Sequence, residues 1–323
     1  MEKTSGAALS LGVAVALISG VAMGSAGTNV MPVFIDDFAS RAGLSGTGAG
    51  LVGAVQLTAT AVVTLLFAAR AARTGRVAMA RLGLVLTAFA AAWVAVADDP
   101  VMLLLTNVLL GAAIGLVYAA ATAALAAVEN SDRAASVAVA GTVAVGALMI
   151  MVVPVANEQW DGAGFLVLAV CCLPAWFLVG RLPDSPVAVV TEQQDGRPSA
   201  VLLLGTAVLW TITQGTWAYA SVLGREYTGL DTTTVSVVLA VSSVVALAGA
   251  VAGTPAARRF GRLRSMVVFI VVEAVAMAVV VISGEPVLFI AAAVVWQACQ
   301  LAVLVQMVAA AAVLDRQGGG SRR

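Results

Sequence analysis

The sequence predicts an all-α membrane protein with ten transmembrane helices in two parallel repeats, six helices in the first and four in the second. Three observations predict this fold: the composition, ten long apolar stretches, and motifs that recur at one constant offset. The chain is 61% hydrophobic and 11% charged, with a mean hydropathy of +1.04. A soluble domain carries about 25% charged residues. Such a chain is expected to cross the bilayer as helices, whose backbone hydrogen bonds are all internal.

The ten apolar stretches are each near the length that crosses a hydrocarbon core of about 30 Å. They lie at 9–35, 46–69, 78–97, 101–127, 135–156, 163–180, 200–222, 234–255, 266–283 and 287–313. Several of the segments between these stretches contain residues typical of turns, as at Asp98-Asp99-Pro100 and Gly284-Glu285-Pro286. These residues support placing span boundaries there.

Three loop motifs recur with an offset of 186 residues. Gly43-Leu44-Ser45, Ala71-x-Arg73-x-Gly75-Arg76 and Asp99-Pro100-Val101 return as Gly229-Leu230-Asp231, Ala257-x-Arg259-x-Gly261-Arg262 and Glu285-Pro286-Val287. The copies lie six spans apart, so equivalent loops face the same side of the membrane and the repeat is parallel. A ten-helix drug/metabolite-type transporter is the alternative architecture; its two five-helix halves would place equivalent loops on opposite sides.

The distribution of positive charge predicts the orientation, because loops on the cytoplasmic side are enriched in Lys and Arg. With the N-terminus inside, 15 of the 17 Lys and Arg residues fall on the cytoplasmic side, and only Arg41 and Arg225 fall outside. We therefore expect a multi-pass protein of the cell (plasma or inner) membrane with both termini cytoplasmic. Residues 1–180 form the N-terminal bundle, 181–199 a Pro-containing cytoplasmic linker, and 200–323 the C-terminal bundle.

On these features the chain resembles the major facilitator superfamily. The resemblance rests on the parallel repeat, the topology, the Arg-x-Gly-Arg loop after the second span, and the segment Gln214-Gly215-Thr216-Trp217-Ala218-Tyr219 in the seventh span. It implies two six-helix bundles, a central cavity and alternating access. By the resemblance and by the repeat, two helices of the twelve are absent after the tenth span, so the chain is expected to be a form shortened at its C-terminus.

The family pattern in the loop after the second helix is Gly-x-x-x-Asp-Arg-x-Gly-Arg, whose Asp and Arg help to hold the inner gate. The first copy here keeps Arg73, Gly75 and Arg76 but has Ala72 at the Asp position. The second copy keeps Arg259, Gly261 and Arg262, with Arg258 at that position. Two interpretations remain open for these six residues: a cytoplasmic gate, or positive charge that fixes topology beside a glycine turn.

The resemblance places helices one, four, seven and ten around the cavity, and these spans carry uncharged polar side chains. The candidates that line the cavity are Asn29, Asn107, Tyr118, Gln214, Trp217, Gln297 and Gln300. Polar groups within a span tend to face the bundle interior or a water-filled cavity; hydrogen bonding between helices is the alternative role. None of the seven is Lys, Arg or His, which favours a neutral or amphipathic solute.

Two further acidic features need interpretation. Glu273 is the only clearly acidic residue in the middle of a predicted span. It is either a proton-coupling site or a protonated or paired structural side chain. The structural role is supported by the family resemblance, which places helix nine peripherally. Asp36 and Asp37 end the first span on the outer side, where we expect solvated helix ends.

The sequence thus predicts a transmembrane transporter of a small solute, secondary active and working by alternating access. A truncated, transport-inactive membrane protein or scaffold is the alternative. The absence of His excludes a Ser-His dyad, and no nucleotide-binding loop is present, so we expect no enzyme activity and no cofactor. Cys171, Cys172 and Cys299 lack metal-ligand spacing. The expected partners are the lipid bilayer and the solute, not nucleic acid; no oligomeric state is indicated.

Overall fold

A computed structural model describes residues 7–41, 43–186 and 200–320. Within these ranges the regular secondary structure is helical, joined by short turns, apart from one isolated bridge between Ala7 and Val128. The chain separates into two compact units, Met1–Val189 (unit 1) and Val190–Arg323 (unit 2). Unit 1 contains α1 (Leu11–Gly24), α2 (Ala26–Asn29), α3 (Met31–Arg41), α4 (Gly46–Ala71), α5 (Arg76–Ala95), α6 (Pro100–Ala126), α7 (Ser131–Asn157) and α8 (Ala163–Leu178). Unit 2 contains α9 (Ala200–Thr228), α10 (Thr232–Phe260), α11 (Arg262–Ile282) and α12 (Pro286–Gly320).

Eight helices in the described ranges are long and apolar enough to cross a bilayer: α4 to α8 and α10 to α12. The stretch 9–35, expected as one span, is divided into α1, α2 and α3 by Ser25 and Val30, whose ψ angles of 4° and 1° depart from the helical value. The chain is therefore a multi-pass helical membrane protein, while the total of ten spans stays a prediction.

Side-chain caps fix several helix starts. Ser45 accepts a hydrogen bond from the Gly48 amide, and Asp99 accepts from the Val101 and Met102 amides just ahead of Pro100. These residues satisfy main-chain donors that the first turn of a helix leaves free. The polar residues that separate the apolar stretches in the sequence are thus the residues that start the helices.

The two sequence copies both use glycine with a positive φ angle. Gly43 and Gly229 have φ angles of 59° and 68°, and Gly75 and Gly261 have φ angles of 95° and 84°. Positive φ is strained for residues with a Cβ, which explains why glycine occupies these positions in both copies. The ψ angles of Gly75 and Gly261, 17° and 144°, differ, so these two glycines do not form the same turn.

The helix pairing repeats as well. In unit 1, α6 packs on α4 and α5; in unit 2, α12 packs on α10 and α11. On the α4–α6 contact, a Cβ at Gly111 would collide with the Gln56 carbonyl, and a Cβ at Gly115 would lie 2.6 Å from the Thr60 carbonyl. Glycine at an interface lets two membrane helices approach until their backbones touch. Gly249 on α10 likewise allows close approach to the backbone of α12, at the Ala298 carbonyl.

The end of the first span differs from the expectation of solvated carboxylates. Asp37 is only 5% exposed; its Oδ2 lies 3.2 Å from Arg41 Nη2 and its Oδ1 accepts from the Gly162 amide. Arg41 in turn donates to the carbonyls of Val94 and Ala95 at the end of α5. The prediction for Asp37 was wrong because Gly162, 125 residues away, binds the carboxylate and Arg41, one turn along α3, pairs with it.

Candidate functional site

The loop between α4 and α5 forms a buried polar cluster with residues that follow α8. The carboxylate of Asp184 accepts hydrogen bonds from the amides of Gly75, at 2.8 Å, and Arg76, at 2.7 Å. These are free donors of the first turn of α5, where a negative charge is favoured. Asp184 lies in the predicted linker 181–199, of which residues 187–199 are outside the described ranges.

The Arg76 side chain is fully buried in this cluster. Its guanidinium donates to the carbonyls of Ala71, Ala72, Pro183 and Ser185. The family pattern has its Asp at the position of Ala72, whereas here a carboxylate reaches the same loop from Asp184. Arg76 therefore ties the α4–α5 loop to the residues after α8, and Arg73 beside it is exposed.

The second copy of the motif has a more open setting. Gly261 and Arg259 are exposed, Arg259 lies 5.5 Å from the ring centre of Phe260, and Arg262 is half-buried. The positive φ of the glycine is shared between the copies, but its ψ angle and the burial of the second arginine are not. Whether any of the six loop residues acts as a gate stays a prediction.

The candidate Asn107 of α6 is fully buried in unit 1. Its Nδ2 donates to the Leu103 carbonyl at 2.8 Å, and its Oδ1 has no hydrogen-bond partner among the described residues. Gln56 of α4 lies one turn further along the contact between α4 and α6 and is also fully buried. Its Nε2 and Oε1 have no hydrogen-bond partner in the described ranges. Gln56 is not among the residues predicted from the sequence, although it is the single amide side chain in the stretch 46–69.

The other two candidates of unit 1 are half-buried. Asn29 donates to the Ser25 hydroxyl at 3.1 Å and lies against Gly146 of α7. Tyr118 lies where α6 meets α1, since a Cβ at Gly24 would come within 2.6 Å of the Tyr118 Cα. Asn29 thus makes a local hydrogen bond within the first span, near its break, which is neither of the two roles that the sequence left open.

In unit 2 the central polar contact joins α9 to α11. The Thr213 hydroxyl donates to Glu273 Oε1 at 3.2 Å, and Glu273 is 1% exposed. The other carboxyl oxygen, Oε2, has no hydrogen-bond partner in the described part of the chain. Cys299 of α12 lies within electrostatic range of this carboxyl group. Glu273 therefore faces the inside of unit 2.

The remaining candidates of unit 2 lie on α9 and α12. Trp217 packs edge-on against the fully buried Trp296, with ring centres 6.1 Å apart. Gln297 is buried, while Gln214 and Gln300 are half-buried. The structure thus brings Trp217 and Trp296 together directly. Trp296 was missed by the sequence analysis because a tryptophan in a span usually indicates packing or an interfacial anchor.

A second polar contact in unit 2 was also missed. Gln306 of α12 accepts from the Ser265 hydroxyl of α11 at 2.5 Å, and both side chains are buried. Interhelical bonds of this kind stabilise bundles within a membrane. In residues 7–41, 43–186 and 200–320 no group of three or more Cys, Asp or Glu side chains is placed to hold a metal ion.

Three features of the structure are typical of a membrane transporter fold. They are the apolar spanning helices, the two units with the same helix packing, and the polar side chains buried in both units. The sequence profile of the Major Facilitator Superfamily matches residues 15–319, and the chain belongs to that family. Among curated protein sequences none matches this chain. The family assignment establishes membrane transport of a solute as its class of function, and not an enzyme activity.

Solved structures of transporters share the fold. A bacterial homologue of the human lysosomal transporter Spinster, inward-facing and occupied, superimposes with a TM-score of 0.69 at 16% identity, covering 91% of this chain and 73% of its own. A POT family transporter in complex with 5-aminolevulinic acid gives 0.67 at 14%, covering 93% and 83%. The nucleoside transporter NupG gives 0.66 at 13%, covering 92% and 81%. At these identities the likeness concerns the fold alone.

Proposed function

We propose that this protein moves a small neutral or amphipathic solute across the cell membrane by alternating access, driven by an ion gradient. The observation that supports the solute class is the chemistry of the candidate side chains. Asn107, Gln214 and Gln297 are amides on the helices that the family resemblance places around the cavity, and none of the seven candidates carries a charge.

Asn107 supports this proposal most directly. Its side chain is fully buried, yet its Oδ1 has no hydrogen-bond partner in the described ranges. A buried acceptor without a partner carries a desolvation cost that a solute hydroxyl or amide group could remove. Two of the structural neighbours are a nucleoside transporter, NupG, and the xylose transporter XylE from E. coli, and nucleosides and xylose are uncharged solutes with hydroxyl groups; the POT family neighbour instead holds 5-aminolevulinic acid.

The test is uptake into lipid vesicles that contain the purified protein, with a panel of radiolabelled uridine, D-xylose and a neutral dipeptide, each with and without an imposed proton gradient. We expect saturable uptake of at least one member. In the variants Asn107→Leu and Gln297→Leu that uptake falls, because the solute loses an amide contact. The matched control is Thr58→Val, on the exposed face of α4, where the hydroxyl bonds only to the Ala54 carbonyl.

Two results would overturn the proposal. The first is that no solute of the panel, extended to amphipathic cations, enters faster than it enters protein-free vesicles. That result would indicate a transport-inactive protein. Uptake that is unchanged in both leucine variants would remove Asn107 and Gln297 from the solute pathway.

A further inference from the structure

The carboxyl group of Glu273 is buried in the middle of α11, and no described side chain of unit 2 places a cation beside it. Only 1% of the residue is exposed, Oε1 accepts from Thr213 and Oε2 has no partner among the described residues. An ionised carboxylate at such a depth is costly, so side chains of this kind in a membrane are rare and are associated with ion or proton pathways. The group needs a proton, or a partner that it acquires.

Three helices of unit 2 pack against α11, and among their described side chains none places a positive charge near Glu273. On α12 the titratable neighbour is the Cys299 thiol. The titratable groups of α10 are confined to its last turn, at Arg258 and Arg259. Those of α9 all lie beyond Thr213 toward its C-terminal end: Tyr219, Arg225, Glu226 and Tyr227. The only polar group that contacts the carboxyl oxygens in the described residues is the Thr213 hydroxyl.

We propose that Glu273 is a reversible proton-binding site that couples transport to the proton gradient through Thr213, an inference that rests on the proposed transport function. A proton from water on one side of the membrane forms an O–H bond at Oε2, which converts the carboxylate to the neutral acid. The same bond breaks when the proton leaves to water on the other side. No other group is consumed.

The link to the solute pathway is the position of Thr213 on α9. Gln214 follows it directly and Trp217 lies one turn further along, so the hydrogen bond to Glu273 holds the segment that carries two candidate residues. A hydroxyl donates more strongly to a charged carboxylate than to a neutral acid. Protonation of Glu273 therefore weakens its hydrogen bond with Thr213, which joins α11 to α9. A resulting shift of α9 changes the contact between Trp217 of α9 and Trp296 of α12, which can be measured.

Proton binding is measured first, by infrared difference spectroscopy of the full-length protein in lipid nanodiscs as the pH is varied. We expect the C=O stretch of a protonated carboxyl in a nonpolar setting to appear on acidification and to be lost in Glu273→Gln. The control Glu285→Gln replaces an exposed carboxylate in the turn before α12, where only main-chain atoms of residue 285 form the observed hydrogen bonds. The same band in Glu273→Gln as in the parent would overturn the assignment.

Coupling to α9 is measured next, by fluorescence of a variant that keeps Trp217 and Trp296 and has phenylalanine at the other four of its six tryptophans. We expect a pH-dependent change in emission that disappears in Thr213→Val while the infrared band remains. Thr211→Val is the matched control, since Thr211 is exposed and bonds only to the Ala207 carbonyl of its own helix. A purely structural Thr213 would leave the fluorescence response of Thr213→Val intact.

The last measurement is the ratio of uptake with an inward proton gradient to uptake without one, for a panel solute that the parent protein accumulates. The ratio falls to unity in Glu273→Gln and stays at the parent value in Glu285→Gln. A parent ratio of unity, or an unchanged ratio in Glu273→Gln, would overturn the coupling role. Should no panel solute be transported at all, the proposed function fails, and the infrared titration alone still decides whether Glu273 binds the proton.

Discussion

Asp184 and Arg76 are joined through the helix start of α5: the Asp184 carboxylate accepts from the Arg76 amide at 2.7 Å, while the Arg76 guanidinium donates to the carbonyls on either side of Asp184. Each residue satisfies groups that the other's segment leaves free. The family motif in this loop has lost its own acid, and a carboxylate 108 positions further along the chain reaches the same turn.

The first prediction concerns this pair. Asp184→Ala and Arg76→Ala should each lower the thermal midpoint of the detergent-purified protein, because each leaves buried partners without hydrogen bonds at a cost of about 1–3 kcal/mol per group. Asp184→Asn, which keeps an acceptor oxygen, should lower it less. The control is the exposed Arg73→Ala, and an equal loss in that variant would show that positive charge in the loop, not the hydrogen-bonded cluster, supplies the stability.

The second prediction concerns the buried ion pair of Asp37 and Arg41. Arg41→Ala strands a buried carboxylate, and removing one partner of such a pair costs about 3–5 kcal/mol. We expect a large drop in the thermal midpoint, and partial recovery in the double variant Asp37→Asn with Arg41→Met, where no unpaired charge is left. The half-buried neighbour Asp36→Asn serves for comparison. A double variant that is less stable than Arg41→Ala would contradict this account.

The third prediction concerns the close contact of α10 and α12. Gly249→Ala inserts a methyl group where the Ala298 carbonyl already lies, and overpacking typically costs about 1–3 kcal/mol. Gly215→Ala on α9 is the matched control because nothing lies within 4 Å of a Cβ there. Thermal unfolding of both variants in the same detergent checks the difference. Equal stability of the two would mean that α10 and α12 approach less closely in solution.

The fourth prediction concerns pH at the start of α10, outside the spanning segments. Hydrogen bonds from the amide and the hydroxyl of Thr234 hold the pKa of Asp231 below its ordinary value of 3.8. A lowered folded pKa means that the cap stabilises the protein above the unfolded pKa and that this contribution is lost as the pH falls through the folded value. The difference in thermal midpoint between the parent and Asp231→Ala should therefore be constant near neutral pH and shrink below pH 3.8. A difference that persists at lower pH would contradict it.

The fifth prediction concerns orientation. In a background without the three cysteines, Thr74→Cys and Arg264→Cys should both resist a membrane-impermeant thiol reagent applied to intact cells, and Asp98→Cys and Glu285→Cys should both react. All four positions are exposed. Labelling that differs between Thr74→Cys and Arg264→Cys would place the two repeated loops on opposite sides and refute the parallel repeat.

The sequence was sufficient for the parts of this fold that depend on local physics. Apolar length predicted the helices, and the repeated glycines at 75 and 261 mark turns that require positive φ in both units. The break of the first span at Ser25 and Val30 was not predicted, since neither residue is a strong helix breaker and the apolar pattern runs through both.

What the sequence did not predict depends on contacts between distant segments. Asp37 was expected to be solvated because a carboxylate at a helix end usually is, yet Gly162, 125 residues away, binds it, in addition to Arg41 one turn along α3. The hydrogen bonds between Asp184 and the α4–α5 loop have no signature in the sequence near either segment. Gln56 could have been found, since one amide in an apolar span is already a signal of burial against another helix.

The cluster around Arg76 also shows how far along the chain unit 1 is held together by hydrogen bonds. Pro183 and Ser185 are bound through their carbonyls to Arg76, so residues up to Ser185 are tied to the α4–α5 loop. Deleting residues at Pro183 should therefore destabilise unit 1 itself, because a fully buried guanidinium would lose acceptors.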